Sequence, residues 1–356
     1  MSLQKNILRW FGKNARPLPW RKRYGPYEVW VSEIMLQQTQ VETMLPYFER
    51  WMRAFPTLKR LAKSPEKKVL KVWEGLGYYS RARNLHASAK EIVRKYDGVF
   101  PADYEAIRAL KGVGRYTAGA IASIAFNEER PIVDGNVLRV LSRVYSIKKP
   151  IDVEKNKDLF WGLQESLIPK GEARLFNQAL MELGALVCTA KNPQCLVCPI
   201  QTDCTAFQKN RVLDYPVRQR RKSPVKVDAA AVLFLKKNKV LIRRRPLGEI
   251  MGGLWEFPEW KLAKDAALTP DEIQKHTLAS LRSEFSFKPE NLRPLAEIKR
   301  NYTHHLETLR VFSAIVPEHT SLKSQSNWPS RWVTPREFSL YPFSSAHSKI
   351  AKLIPH

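Results

Sequence analysis

The sequence predicts two domains of different class, a mainly α first part and an α+β second part. Three observations carry this. Between residues 41 and 187 most segments place apolar residues at helical spacing. From residue 227 the texture changes to strand-like runs, Val227–Phe234 and Val240–Ile242, separated by the turn Lys236-Lys237-Asn238-Lys239. Between the two, residues 209–226 are polar, basic and proline-bearing, which reads as an interdomain linker.

Charge narrows the partner. The chain has 356 residues, enough for two domains, and a formal charge of +26. Residues 1–210 carry +14 and residues 211–356 carry +12, so the excess is not one basic tail. A polyanion is the expected partner, nucleic acid before an anionic membrane surface. No apolar run of about 18 residues exists to span a bilayer. Met1–Asn14 has neither the long apolar core nor the small-residue cleavage site of a secretory signal. The expected location is the cytoplasm, on the nucleoid in a prokaryote.

In order, Ile7, Leu8, Trp10 and Phe11 mark a short amphipathic helix. Arg16 to Arg21 contains Pro17 and Pro19, so it is extended; Trp20 beside Arg21 is a base-stacking edge or a tryptophan pinning a loop. In Tyr27–Val41 the carboxylate of Glu33 falls within a nearly continuous apolar run. Desolvated there, it would hold a proton near neutral pH, as a general acid must. The other possibility is a polar stripe shared with Gln37 and Gln40. Gln37, Gln38 and Thr39 can bond base edges or simply end a helix. Residues 41–73 read as two helices joined near Phe55-Pro56 and capped near Ser64-Pro65-Glu66. Gly75-Leu76-Gly77-Tyr78-Tyr79-Ser80-Arg81-Ala82-Arg83 then puts aromatic rings beside positive charge in a glycine loop. That suits insertion into a base stack, unless the tyrosines fold onto the core.

Residues 85–133 read as helical and hold the chain's central motif, Leu110-Lys111-Gly112-Val113-Gly114-Arg115-Tyr116-Thr117. Gly112 and Gly114 between two helices allow a tight turn at positive φ and leave backbone N–H groups bare for one phosphate. A hairpin used only for packing is the alternative. Asp134 follows 20 residues after Gly114, between the strand-like Pro131-Ile132-Val133 and Gly135-Asn136-Val137. It fits a helix N-cap, and equally a reactive carboxylate. Residues 137–187 return to helix and run into the cysteines.

All four cysteines lie in Cys188-x6-Cys195-x2-Cys198-x5-Cys204. Clustered thiols in an intracellular protein point to a metal site rather than disulfides. Four thiolates suit zinc or a 4Fe-4S cluster; zinc is favoured as the commoner structural site, although this spacing is not the paired Cys-x2-Cys of a zinc ribbon. The C-terminal part continues with Gly252-Gly253-Leu254-Trp255-Glu256-Phe257-Pro258, a helix near 271–285, and strands near Leu295–Lys299 and Leu309–Val316.

The hairpin with an aspartate about 20 residues later resembles the helix-hairpin-helix base-excision glycosylases. The cysteine spacing matches the cluster loop of the endonuclease III and MutY families. The Gly-Gly-Leu-Trp-Glu-Phe-Pro strand resembles the Nudix fold of MutT. That fold's Arg-Glu-x-x-Glu-Glu metal helix is absent: Thr277–Phe285 offers only Glu284, so pyrophosphate hydrolysis is not expected. Taken in order, these motifs resemble the MutY family of adenine DNA glycosylases over nearly the whole chain. The resemblance implies a helical glycosylase domain at 1–208, with a barrel part at about 22–132 and a cluster part from 1–21 plus 133–208. A Nudix-like lesion-recognition domain follows at 227–356.

It also implies roles. Glu33 protonates the leaving adenine and Asp134 stabilises the oxocarbenium-like sugar, supported by Tyr116 and Asn136. Trp20, Arg21 and Gln178 line the pocket for the flipped adenine. Gln38, Thr39 and Tyr78 attend an opposite 8-oxoguanine, and Gly112 and Gly114 grip the backbone. Cys188, Cys195, Cys198 and Cys204 hold a 4Fe-4S cluster. Tyr302, Thr303 and His304 stand where the family carries Phe-Ser-His to read the damaged base. Tyr116 replaces the lysine with which endonuclease III-like enzymes form a Schiff base, so a monofunctional enzyme is implied. The substrate implied is double-stranded DNA with 8-oxoguanine·adenine or guanine·adenine mispairs, met by a monomer. An iron–sulfur glycosylase for thymine in T·G mispairs, and a DNA-binding module without catalysis, are the rivals; the presence of both Glu33 and Asp134 speaks against the second.

Overall fold

The computed structural model describes residues 2–219, 223–264, 268–285, 290–302, 305–318 and 328–354. Thr303 and His304 lie outside them, as does the side chain of Tyr302. The helices are α1 (Leu3–Asn14), α2 (Pro26–Leu36), α3 (Val41–Ala54), α4 (Leu58–Ala62), α5 (Glu66–Trp73), α6 (Ser80–Tyr96), α7 (Tyr104–Arg108), α8 (Arg115–Phe126), α9 (Gly135–Val144), α10 (Glu154–Leu167), α11 (Ala173–Leu186), α12 (Thr205–Gln208), α13 (Pro270–Glu284) and α14 (Ser345–Ala351). The chain divides into two compact units: Met1–Lys63 with Asn84–Arg221, and Ser64–Arg83 with Lys222–His356. No helix among the described residues is long and apolar enough to cross a membrane.

In the first unit local signals set the helix ends. Pro26 starts α2, where its missing N–H costs nothing. The Asp103 side chain accepts the Ala106 N–H to cap α7. Asn127 ends α8 in the left-handed conformation at φ +61. A helix at Leu58–Ala62, capped by Thr57, makes three helices of residues 41–73 where two were expected. α1 shares a core with α9, α10 and α11, through Ile7, Phe11, Val137, Val140, Phe160, Phe176, Leu180 and Leu183. The chain's start is thus bound to its 133–187 stretch.

Two segments make contacts that the sequence did not show. Residues 209–219 are not free linker: the Val212 and Tyr215 carbonyls accept from Arg143, Ile151 donates its N–H to Val217, and Asp152 accepts from the Gln219 N–H. Residues 64–83, placed by sequence in the helical domain, pack with the second unit.

The second unit is built on a mixed sheet of β1 (Val225–Lys236), β2 (Lys239–Arg244), β3 (Trp255–Glu256), β4 (Glu259–Lys264), β5 (Glu290–Tyr302), β6 (His305–Ile315) and β7 (Ser330–Val333). The order is β3-β2-β1-β6-β5, with β4 against β1 and β7 against β2. β1 and β6 run parallel from Val225↔His305 to Leu235↔Ile315, and β5 and β6 form a hairpin. Strand alternation feeds two cores. Ala229, Ala231 and Leu233 pack with Phe257, Phe338 and Phe343; Ala230, Val232 and Phe234 pack with Ile273 and Leu281 of α13.

Gly119 marks the tightest approach of α8 to the segment before Asp134, since a Cβ there would meet the Pro131 carbonyl oxygen at 2.5 Å. A backbone atom cannot swing aside. Gly119→Ala is therefore expected to destabilise the first unit by about 1–3 kcal/mol, read as a lowered melting temperature; an unchanged melting temperature would refute the contact.

Candidate active site

An open cleft of about 920 Å³ in the first unit is lined by Trp20, Arg21, Glu33, Gln37, Gln38, Thr39, Tyr116, Asp134, Asn136 and Gln178, among others. It gathers residues that are 158 positions apart, from Trp20 to Gln178, and includes every catalytic and adenine-pocket residue expected from the sequence.

Glu33 lies on α2, a helix buried from Val29 to Met35, and is itself 3% exposed. Gln37 and Gln40 fall beyond the helix, so no polar stripe joins them to Glu33. Burial raises the Glu33 pKa to about 7; the Tyr116 hydroxyl, donating to Glu33 Oε2 at 2.6 Å, pulls it down, nearby Asp134 raises it and Arg21 lowers it. Burial and the negative charges of Glu33 and Asp134 push the Tyr116 phenol well above its ordinary value, so it donates and does not ionise.

Asp134 is the N-cap of α9, and it also lines the cleft. Its Oδ1 accepts the Val137 N–H at 2.7 Å and its Oδ2 accepts Asn136 Nδ2 at 2.7 Å. Burial raises its pKa and these bonds oppose the rise. Asn136 is held in turn by Arg139, which donates to Asn136 Oδ1 at 2.8 Å, the Gly184 carbonyl at 2.6 Å and the Cys188 carbonyl at 2.7 Å. Sequence reasoning missed Arg139, whose signal was its i+3 spacing from Asn136 on α9.

Two residues of the far wall, Arg16 and Glu182, were also missed. Arg21 donates through Nε to Gln178 Oε1 at 2.9 Å and through Nη2 to Glu182 at 3.0 Å; Arg16 donates to the same carboxylate. Burial alone would raise Glu182, but the bonds from Arg16 and Arg21 hold it at about 2. A glutamate four residues after Gln178 in an apolar helix was the available signal. Trp20 is buried edge-on against Phe48, ring centroids 5.2 Å apart.

The hairpin residues stand apart from the cleft lining. Gly112 adopts φ +80, as a tight turn requires. Gly114 does not: it is the extended N-cap of α8 at φ −91, and nothing lies within 4 Å of where its Cβ would be. The expectation of positive φ there is corrected. Tyr78 belongs to the second unit, 51% exposed at φ +46.

The four cysteines follow α11 in a loop organised by Arg143. That guanidinium, 1% exposed, donates to the carbonyls of Thr189, Ala190, Val212 and Tyr215 and to Cys188 Sγ at 3.2 Å. The thiols face one cavity with Val140, Leu183 and Ile200. Among the described residues, Glu256, Glu259 and His347 bring ligand atoms within 4.8 Å of one another, in the second unit.

Comparison with known proteins agrees. Residues 31–164 match the HhH-GPD superfamily of base excision DNA repair proteins, residues 188–204 the iron–sulfur binding domain of endonuclease III, and residues 229–353 a NUDIX domain. An adenine DNA glycosylase of Buchnera aphidicola is 36% identical over 84% of this chain and 82% of its own. The human adenine DNA glycosylase is 32% identical over 98% of this chain and 73% of its own. A thermostable thymine-DNA glycosylase superposes with a TM-score of 0.53 at 28% identity, over 58% of this chain and 95% of its own. Cys188, Cys195, Cys198 and Cys204 thus hold a 4Fe-4S cluster, and zinc is set aside.

Arg143→Met would leave the carbonyls of Thr189, Ala190, Val212 and Tyr215 without this donor, and the buried Tyr215 carbonyl alone would cost about 1–3 kcal/mol. The expected result is a lower melting temperature and less iron per protein; full iron at unchanged stability would contradict it.

Proposed function

Since the chain belongs to the adenine DNA glycosylases, hydrolases of N-glycosyl bonds in base excision repair, we propose that it removes adenine opposite 8-oxoguanine, and opposite guanine more slowly, leaving an uncut abasic site. DNA is the substrate. The observation that carries the mechanism is a buried carboxyl, Glu33, poised near pH 7 in one cleft with a second carboxylate, Asp134.

The glycosidic bond is unreachable in the base stack, so the adenine flips into the cleft. Trp20, Arg21 and Gln178 receive it, with the Arg21 fork fixed by Glu182. Glu33 gives its proton to the imidazole-ring nitrogen of adenine, making the base a neutral leaving group. The C1′–N9 bond breaks, and Asp134 stabilises the positive charge on the sugar, aimed by Asn136 and the Val137 N–H. Water adds to C1′ and its proton returns to Glu33. Two carboxylates flanking one glycosidic bond follow the logic of sugar hydrolases. Tyr116 offers a phenol bonded to Glu33 where an amine would be needed for a Schiff base, which supports the monofunctional assignment. The enzyme acts as a monomer. Gln38 and Thr39, at the cleft's edge with Gln38 at φ +60, Tyr78, and Tyr302 to His304 attend the opposite base.

Single-turnover assays on duplexes with one 8-oxoguanine·adenine, guanine·adenine or thymine·guanine pair, with and without alkali, test this. Alkali-dependent nicks at adenine, fastest opposite 8-oxoguanine, are expected. Excision of thymine alone would favour the rival, and robust borohydride trapping would sink the monofunctional chemistry. Glu33→Gln should lose roughly 10²–10⁴ in rate while retaining duplex binding. Because the acid acts protonated, the rate should be full below and fall as pH rises through about 7; a rate that climbs across that range would exclude Glu33 as the acid.

A further inference from the structure

The loop that carries Tyr78 is fastened to the second unit by a short set of bonds. Tyr79, 5% exposed, donates its hydroxyl to the Phe343 carbonyl at 2.7 Å and accepts the Gly75 N–H at 3.3 Å. Glu74 Oε1 accepts the Phe343 N–H at 2.9 Å and the Ser348 hydroxyl at 3.0 Å. Both main-chain groups of Phe343 are therefore bonded to the residues flanking Gly75–Tyr78. Lys71 ties Glu74, at 2.6 Å, to the Tyr341 carbonyl, at 3.0 Å.

Phe343 is itself held by the Gly-Gly-Leu-Trp-Glu-Phe-Pro strand. Its ring stacks on Phe257 at 5.5 Å and 12°, its backbone bridges Trp255, and the Trp255 N–H donates to the Pro342 carbonyl. Arg83 donates to the Gly252 carbonyl at 2.5 Å. Within the loop, Trp73 Nε1 donates to the Gly77 carbonyl at 3.0 Å, and the Arg81 guanidinium sits 5.3 Å from the Trp73 ring and 5.5 Å from the Tyr78 ring. A tyrosine at φ +46 is a strained residue, and such strain persists only where the surroundings over-determine it. These bonds are those surroundings.

We propose that Glu74 and Tyr79 are positioning residues for opposite-base reading: through Phe343 and Ser348 they make the Tyr78 loop a piece of the Nudix-like unit, which thereby sets the pose of the exposed ring. The proposal rests on the assignment of Tyr78 to the opposite base made above. The Nudix signature strand then serves as the anchor of a DNA-probing loop. Tyr79 and Glu74 need touch no nucleotide.

The test is a double-mutant cycle in the full chain carrying Glu33→Gln, so that binding is measured without turnover. Dissociation constants are taken for 8-oxoguanine·adenine and guanine·adenine duplexes, beside a melting curve for each variant. Tyr79→Phe should lower the preference for 8-oxoguanine roughly tenfold and have no further effect once Tyr78→Ala is present. Glu74→Gln should do the same. An equal loss with and without Tyr78, or a lowered melting temperature with the preference intact, would overturn the proposal. If Tyr78→Ala alone leaves the preference intact, the assignment of Tyr78 falls and the proposal with it. If the Glu33→Gln protein has no preference to lose, the failure lies with the proposed function.

Discussion

A carboxyl kept out of water is the constraint on which the site depends. α2 is buried over nearly its whole length, from Tyr27 to Met35, so Glu33 is shielded from bulk water and meets only the cleft. Holding a charge there is costly, and the cost appears as a proton retained near neutrality. Tyr116 supplies the compensating hydrogen bond that makes the burial tolerable. Its own upward shift follows from the same desolvation and from the two neighbouring carboxylates. Tyr116 thus keeps its proton, while Glu33 gains and loses one near neutral pH.

Three of the four carboxylates that line the cleft, Glu33, Asp134 and Glu182, are kept in different environments. Glu33 is desolvated with one neutral donor. Asp134 is buried too, but it sits at a helix N-terminus with donors from Val137 and Asn136, an arrangement that favours negative charge. Glu182 meets two guanidiniums and is held at about 2, so its role is to fix Arg16 and Arg21 in place. One functional group thus meets three different settings, as carboxylate pairs in hydrolases do.

How much of this was legible depends on whether the signal is local. Glu33 amid apolar residues, the N-cap pattern at Asp134, the glycine turn and the cysteine spacing are all short-range, and the sequence exposes them directly. The parallel pairing of β1 with β6, some 80 residues apart, leaves no local trace beyond two apolar runs. The Arg16–Glu182 pair spans 166 residues and is invisible for the same reason. Gly114 was expected at positive φ because composition cannot tell a turn glycine from an N-cap glycine. Residues 64–83 fall in the helical domain by sequence, and their bonds to Tyr341, Phe343 and Ser348, some 270 positions away, leave no local trace.

The second unit extends the same logic of charges fixed by partners. Where an active Nudix helix would offer a carboxylate cluster to a divalent cation, Glu284 is bonded by Arg243 at 2.6 Å and by the Trp260 indole at 2.7 Å. Glu256 and Glu259, the trio's carboxylates with His347, are matched by Arg243, Arg245 and Arg300. His347 accepts the Phe257 N–H at Nδ1, so its Nε2 carries the proton and donates to Glu259. A metal ion entering here would have to displace guanidiniums already paired with those oxygens and a proton already shared. Buried ion pairs add little net stability but penalise every alternative arrangement. Such a network suits a rigid platform better than a hydrolytic centre, and Phe257, at its edge, is where that rigidity meets Phe343 and the loop of Tyr78.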